Sequence, residues 1–200
     1  MPDISPTLVK ELREKTNAGM MDCKRALDEA SGDMAKAEEL LRKKGIASAS
    51  KKASRVAKEG IVASYIHLQG KVGVLVEINC ETDFVAKNDV FREFVKDITL
   101  HIAASHPLYV SRDQVPDTLI QAEREIYAAQ VTGKPANIID RIVDGKIDKF
   151  FGTVCLLEQA FIKNPDLTIK DFVNSKIAEL GENIVIRRFT LYMVGEDLGG

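Results

Sequence analysis

The spacing of apolar residues changes at Ile61, and that change limits the folds open to this chain. Before it, apolar side chains recur every three or four positions: Leu8, Val9 and Leu12, then Ala26, Leu27 and Ala30, then Met34, Ala37, Leu40 and Leu41. That is the period of helices with one buried stripe. From Ile61 to Leu68 and from Val72 to Cys80 the chain is dense in Val and Ile, which suit a pleated strand. Helical periods then return, and the final segment, Ile184 to Val194, alternates. The pattern predicts an α+β protein: three N-terminal helices, then a core domain with a small antiparallel sheet packed against helices.

Local signals place the elements. Ser5 can cap a first helix with Pro6 pre-set at its first position, and Asn17-Ala18-Gly19 breaks it. A second helix is predicted to begin near Asp22, whose carboxylate can accept backbone N–H groups, and to end at Ser31-Gly32. Asp33 caps a third, expected to stop before Gly45, with Arg42, Lys43 and Lys44 near the negative end of its dipole. Three such helices enclose little, so residues 1–45 are expected to form a marginal unit suited to docking. Residues 46–60 read as a basic linker containing Lys51, Lys52, Arg55 and Lys58, and residues 61–200 as the core domain.

Within that core, Gln69-Gly70 is a tight-turn signal between the first two strands. The run Val72, Val74, Leu75, Val76, Ile78 predicts a strand covered on both faces. Thr82 is read as the cap of a long helix with the stripe Phe91, Phe94, Val95, Ile98 and Ile102, ending before His106-Pro107. Pro116-Asp117 open a helix burying Leu119, Ile120, Ile126, Tyr127 and Val131, closed by Gly133-Lys134-Pro135. A shorter helix is expected through Ile138, Ile139, Ile142 and Val143 to Gly145, and residues 150–163 read as irregular. Thr168 with Asp171 starts a helix that Gly181 ends. The closing strand, with Val185, Phe189, Leu191 and Met193 on one face, can pair with the early hairpin.

Composition narrows the chemistry. Residues 1–60 hold 13 Lys and Arg against 10 Asp and Glu, and the remainder 15 against 20, so neither part has the basic excess of a dedicated nucleic-acid binder. No apolar run approaches the roughly 18 residues of a membrane span, and the N-terminus shows no basic-then-apolar leader, which points to a cytoplasmic protein. Cys23, Cys80 and Cys155 lie 57 and 75 residues apart, suggesting neither a disulfide framework nor zinc. His67, His101 and His106 have no HExxH or CxxC partner. No GxxxxGK[ST] loop is present, and Pro135 removes a donor where such a loop needs one, so the chain is not read as a GTPase. No catalytic residue, metal or cofactor is expected. Two other readings stand beside these: an RNA-binding or ribosome-associated module using the basic linker, and a thiol enzyme using Cys80 or Cys155.

Two segments are more specific. Residues 8–27, LVKELREKTNAGMMDCKRAL, resemble the signature of the N-terminal, ubiquitin-associated-like domain of the elongation factor Ts family. Residues 72–87, VGVLVEINCETDFVAK, resemble that family's second signature, centred on Thr82-Asp83-Phe84-Val85. KFFGTVCLLEQAFIKNP from Lys149 to Pro165 and GENIVIRRF from Gly181 to Phe189 are similar to the family too. Asn17 stands where the family usually has glycine, and asparagine also tolerates the left-handed conformation. The chain is short, with room for one core half where longer members carry two.

The resemblance implies a non-enzymatic guanine nucleotide exchange factor that binds no nucleotide itself and releases GDP from elongation factor Tu. It also implies a homodimer in which both subunits touch each factor Tu, with the final strand and neighbouring apolar faces as candidate dimer surfaces. Leu12, Met20 and Met21, with Lys24 as a weaker candidate, match contact positions on the N-terminal module. Thr82, Asp83, Phe84 and Val85 form the second contact, with Asp83 and Phe84 intruding near the partner's magnesium and nucleotide site. Plain structural readings compete at each position. Phe84 lies seven residues before Phe91, a spacing that fits one core stripe. Asp83 can serve the helix dipole, Thr82 the cap, and Met20 and Met21 the core.

Overall fold

Side-chain caps at Ser5, Asp33, Thr82 and Thr168 start four of the eight described α-helices at positions read from the sequence. The computed structural model describes residues 4–16, 18–131 and 135–197, without the side chains of 136 and 137, so Asn17, Gly133 and Lys134 fall outside it. Ser5 Oγ accepts the Leu8 N–H at 3.2 Å and opens α1 (Pro6–Thr16). Helix α2 (Met20–Glu29) starts earlier than expected, because extended Gly19 precedes it and Asp22 does not cap it. The Asp22 carboxylate pairs instead with Arg25, at 2.7 Å, and with Lys44. Left-handed Ser31 and Gly32 close α2, and Asp33 Oδ1 accepts the Lys36 N–H at 3.1 Å to open α3 (Met34–Lys52). Val9, Leu12, Cys23, Leu27, Ala37 and Leu41 are enclosed among these helices.

The stop expected at Gly45 is absent. Helix α3 continues for about two more turns, so most of the supposed linker is helical and only residues 53–58 join it to the next strand. A helical glycine costs about 1 kcal/mol relative to alanine, which packing can outweigh.

Strands β1 (Glu59–His67) and β2 (Val72–Cys80) pair antiparallel with Ile61 opposite Ile78. Their turn is wider than Gln69-Gly70, since Leu68, Gln69 and Gly70 are all left-handed. Thr82 caps only a single helical turn, α4 (Asp83–Ala86). The long helix is a separate element, α5 (Asp89–Ser105), capped by Asn88, whose Oδ1 accepts the Val90 N–H at 2.8 Å. Phe91, Phe94, Val95, Ile98 and Ile102 of α5 share one core with Val72, Val74, Val76 and Ile78.

Helices α6 (Asp117–Ala129) and α7 (Ala136–Val154) pack against each other. Helix α7 runs straight through Gly145, where a shorter helix was expected. On α6, Leu119, Ile120 and Tyr127 are half-buried and Ile126 is exposed, a shallower seat than the sequence pattern suggests. The stretch expected to be irregular contains the end of α7 and a short hairpin, β3 (Ala160–Phe161) with β4 (Asn164–Thr168). A full capping box between Thr168 and Asp171 opens α8 (Ile169–Leu180), and left-handed Gly181 ends it. Helix α3 packs along α8, where a Cβ on Gly45 would make an ordinary contact with the Asn174 backbone at 3.6 Å.

Strand β5 (Val185–Met193) pairs antiparallel with β2, so among the described residues the main sheet has the order β1-β2-β5. Ile186 faces Ile78 and Arg188 faces Glu77, leaving Arg187 as an extra bulged residue. The bulge shifts the alternation by one: Ile186 is buried in place of the predicted Val185, while Phe189, Leu191 and Met193 face the core. The described residues do not cover the sheet on both faces. On the far side Val62, Ile66, Leu75 and Tyr192 are at least half exposed. Among the described residues, no helix is long and apolar enough to cross a membrane.

His101 is fully enclosed and ties α5 to the β3–β4 hairpin. Its Nδ1 accepts the Ile162 N–H at 3.3 Å, so the proton sits on Nε2 and is donated to Gln159 Oε1 at 3.0 Å. Gln159 Nε2 in turn donates to the Thr153 carbonyl at 2.7 Å. Burial lowers the His101 pKa below its ordinary 6.5. The folded state therefore holds fewer protons than the unfolded chain, so this contribution is complete above pH 6.5 and is lost as pH falls toward the depressed value. The melting temperature is expected to fall from pH 7 to pH 5 more steeply in the wild type than in His101→Gln; parallel curves would contradict this.

Candidate functional site

The turn after β2 is built to hold two side chains away from the core. Thr82 Oγ1 accepts the Val85 N–H at 3.3 Å, fixing the first turn of α4. Val85 and Ala86 face inward and are 5% and 8% exposed, which pins α4 to the core. Val85 is thus an anchor and is not available to a docked protein. Phe84 points the other way and is 75% exposed. Its seven-residue spacing to Phe91 does not place it in the core, because Lys87-Asn88 interrupts the helix between them. Asp83 is also exposed, and its Oδ2 receives the Lys87 ammonium at 2.7 Å. The hydrogen bond from Lys87, with its charge, holds the Asp83 carboxyl below the usual carboxylate range, so it is ionised at neutral pH. The corner presents a bare aromatic ring beside a carboxylate, on a turn with little freedom to move.

A second patch lies at the start of α2. Met20 and Met21 are both exposed, at 56% and 66%, and Lys24 is exposed one turn further on. Leu12 is not part of this surface: it is 0% exposed within the three-helix core, where it supports the packing. Paired flexible thioethers on a helix end suit an apolar partner surface of irregular shape.

The features behind the other readings are less free. Lys52 donates to Ser48 Oγ at 2.6 Å, and Arg55 pairs with Glu81 at 3.5 Å, so half of the basic cluster is engaged within the chain. The three thiols are buried. Burial pushes Cys80 and Cys155 up to about 11, leaving them protonated and poorly nucleophilic at neutral pH.

Two features were not read from the sequence. One is Glu182, whose carboxylate reaches back to the Glu81-Thr82 backbone; its position directly after the αL glycine Gly181 was the available signal. The other is the open sheet face, hidden because Leu75 and Val62 look like core residues in an apolar run.

The model of the family described as elongation factor TS matches residues 9–196. A relative named elongation factor Ts from Carboxydothermus hydrogenoformans is 60% identical over 197 residues, covering 98% of this chain and 91% of its own length. One of the same name from Thermoanaerobacter sp. strain X514 is 58% identical and is covered over 97% of its length, and one from Geobacter sulfurreducens is 56% identical. Matched through the α2 patch, the Thr82–Phe84 corner and the closing strand, the chain belongs to the elongation factor Ts family and so to the factors of translation elongation.

Proposed function

We propose that the protein is a guanine nucleotide exchange factor that promotes GDP release from elongation factor Tu in the cytoplasm by stabilising the nucleotide-free GTPase. The observation that carries this reading is Phe84, 75% exposed on a turn whose neighbours Val85 and Ala86 are buried. A wedge must be apolar, protruding and stiffly backed, and this side chain is all three. Met20 and Met21 provide the grip on the GTPase domain, with Lys24 beside them. No bond is made or broken. Exchange is linkage: a protein that prefers the empty GTPase lowers nucleotide affinity by the factor by which nucleotide lowers its own.

Asp83 acts by charge. Placed near the partner's magnesium ligands, its carboxylate competes for the groups that hold the cation, and the phosphate oxygens lose a counter-charge. Its present pairing with Lys87 is exposed and screened by solvent, so that partner is readily exchanged.

The protein acts as a homodimer through the open face of the β1-β2-β5 sheet. Antiparallel sheets with an exposed apolar face gain stability by stacking on a second sheet.

The test is release of fluorescent GDP from elongation factor Tu in a rapid-mixing experiment, run at several salt concentrations. Acceleration by this protein is expected at all of them. Failure to accelerate, together with RNA binding that falls steeply with salt, would favour the basic segment Lys51, Lys52, Arg55 and Lys58 as the functional one.

A further inference from the structure

Past the end of the β2–β5 ladder, two carboxylates take over the work of backbone pairing. The ladder's last pair is Asn79 with Val185. Beyond it, Glu182 Oε2 accepts the N–H groups of Glu81 and Thr82 at 3.0 and 3.1 Å, while Oε1 receives the Thr82 hydroxyl at 2.6 Å. Glu81 reaches back in the opposite direction: its Oε1 accepts the Asn183 N–H at 2.6 Å and pairs with Arg55 at 3.5 Å. Asn183 then donates its side-chain amide to the Arg55 carbonyl at 2.9 Å. Three segments far apart in sequence meet here: the end of the α3–β1 connection, the β2–α4 corner and the turn after α8.

The hydroxyl of Thr82 has one proton, and Glu182 takes it. The lone pairs of that oxygen are then free to cap, and one receives the Val85 N–H at 3.3 Å. A carboxylate as acceptor makes each of these hydrogen bonds stronger than a neutral one. Glu182 therefore fixes both the backbone entering α4 and the polarity of its cap. Phe84 is 75% exposed and has few neighbours of its own, so its direction depends on that backbone.

We propose that Glu182 is a positioning residue for exchange, locking the corner that aims Phe84 and Asp83, with Glu81, Asn183 and Arg55 bracing the same corner against the connection between α3 and β1. This rests on the exchange reading above.

The test is a double-mutant cycle on GDP release from elongation factor Tu, using the full chain. Glu182→Ala is expected to reduce the acceleration about tenfold, a loss of about 1.4 kcal/mol, while in a Phe84→Ala background the same change is expected to alter it by less than about twofold. Amide hydrogen exchange at Glu81 and Thr82 is expected to be slow in the wild type and fast in Glu182→Ala. Glu182→Gln, which keeps one acceptor oxygen and the side-chain volume, is expected to fall between, and carries the same cycle if the alanine variant does not fold. Wild-type release in a folded Glu182→Ala would overturn the proposal. So would an equal loss in both backgrounds, since that marks a general weakening of the fold. If Phe84→Ala itself releases GDP at the wild-type rate, the corner is not where exchange acts and this proposal falls with it; if the wild-type protein gives no acceleration, the exchange reading has failed, and the amide protection at Glu81 and Thr82 still decides whether the clamp exists.

Discussion

Phe84→Ala is expected to lower the acceleration of GDP release by about ten- to two-hundredfold while leaving the melting temperature unchanged. The magnitude follows from burying a phenylalanine side chain against the partner, worth roughly 1.5 to 3 kcal/mol. The lack of a stability effect follows from its position: a side chain 75% exposed contributes little packing to its own fold. The loss is expected in the affinity for nucleotide-free elongation factor Tu as well as in the release rate, because the wedge favours the empty partner. Phe84→Leu keeps much of the apolar area and is expected to lose less. Asp83→Ala removes a charge and an exposed pair with Lys87, and is expected to impair release with no change in fold stability. Wild-type release in Phe84→Ala, measured by rapid mixing with fluorescent GDP, would remove the corner from the mechanism while leaving the family assignment standing.

Leu75→Arg is expected to convert the proposed dimer into a folded monomer. Leu75 sits in the middle strand on the open face, with Ser64 and Thr190 beside it in register. One row along, Ile66 lies across Gly73, its Cδ1 3.4 Å from where a Cβ would be, and Tyr192 flanks the same glycine on β5. On the other side, Glu77 receives Arg188 at 2.7 Å and has Arg187 nearby, giving a charged rim. Three nine-residue strands make a face of roughly 30 by 15 Å, enough to form one layer of a sandwich. In a two-fold pair the substitution enters twice, placing two like charges at the centre of the interface. Several kcal/mol per buried charge translate into a dissociation constant raised by at least about a thousandfold. Light scattering on a size-exclusion column reads the result directly. A dimer that survives Leu75→Arg would move the interface away from the sheet, with α6 and its exposed Ile126 the next surface to test.

Much of this was legible in the sequence because the signals were chemical and local. Asp33, Thr168 with Asp171, and Ser5 each have an oxygen that satisfies helix N–H groups, and each is found doing so. The hairpin and the return of the last strand to it followed from β-branched density and alternation. The misplaced features share a different cause. Gly45 and Gly145 look like helix ends, but glycine in a helix costs only about 1 kcal/mol, and the Gly45 helix instead gains contact with α8. The bulge at Arg187 inverts which of Val185 and Ile186 is inside, and an inserted residue leaves no mark in composition.

At the candidate site, the Thr82-Asp83-Phe84-Val85 segment was found from its resemblance, not from its periodicity. Spacing alone placed Phe84 in a core stripe. Only the interruption at Asn88, a cap residue in the middle of an apolar period, carries the information that it lies outside. Leu12 and Val85 went the other way: motif membership marked them as contacts, whereas burial makes them supports.

The continuity of α3 has a mechanical consequence. Because Met34–Lys52 is one rod, packed near its middle on α8, the N-terminal helices are geared to the core and do not hang from it by a tether. Adding or removing one residue between 46 and 52 would turn the two ends of the rod by about 100° relative to each other and slide them about 1.5 Å along the axis. The seat of Gly45 on α8 holds the N-terminal side, so the mismatch would fall on residues 53–58 and the entry to β1. The length of this segment is thus quantised: changes near a whole turn, three or four residues, keep the rod in phase with the strand it feeds, and changes of one or two do not.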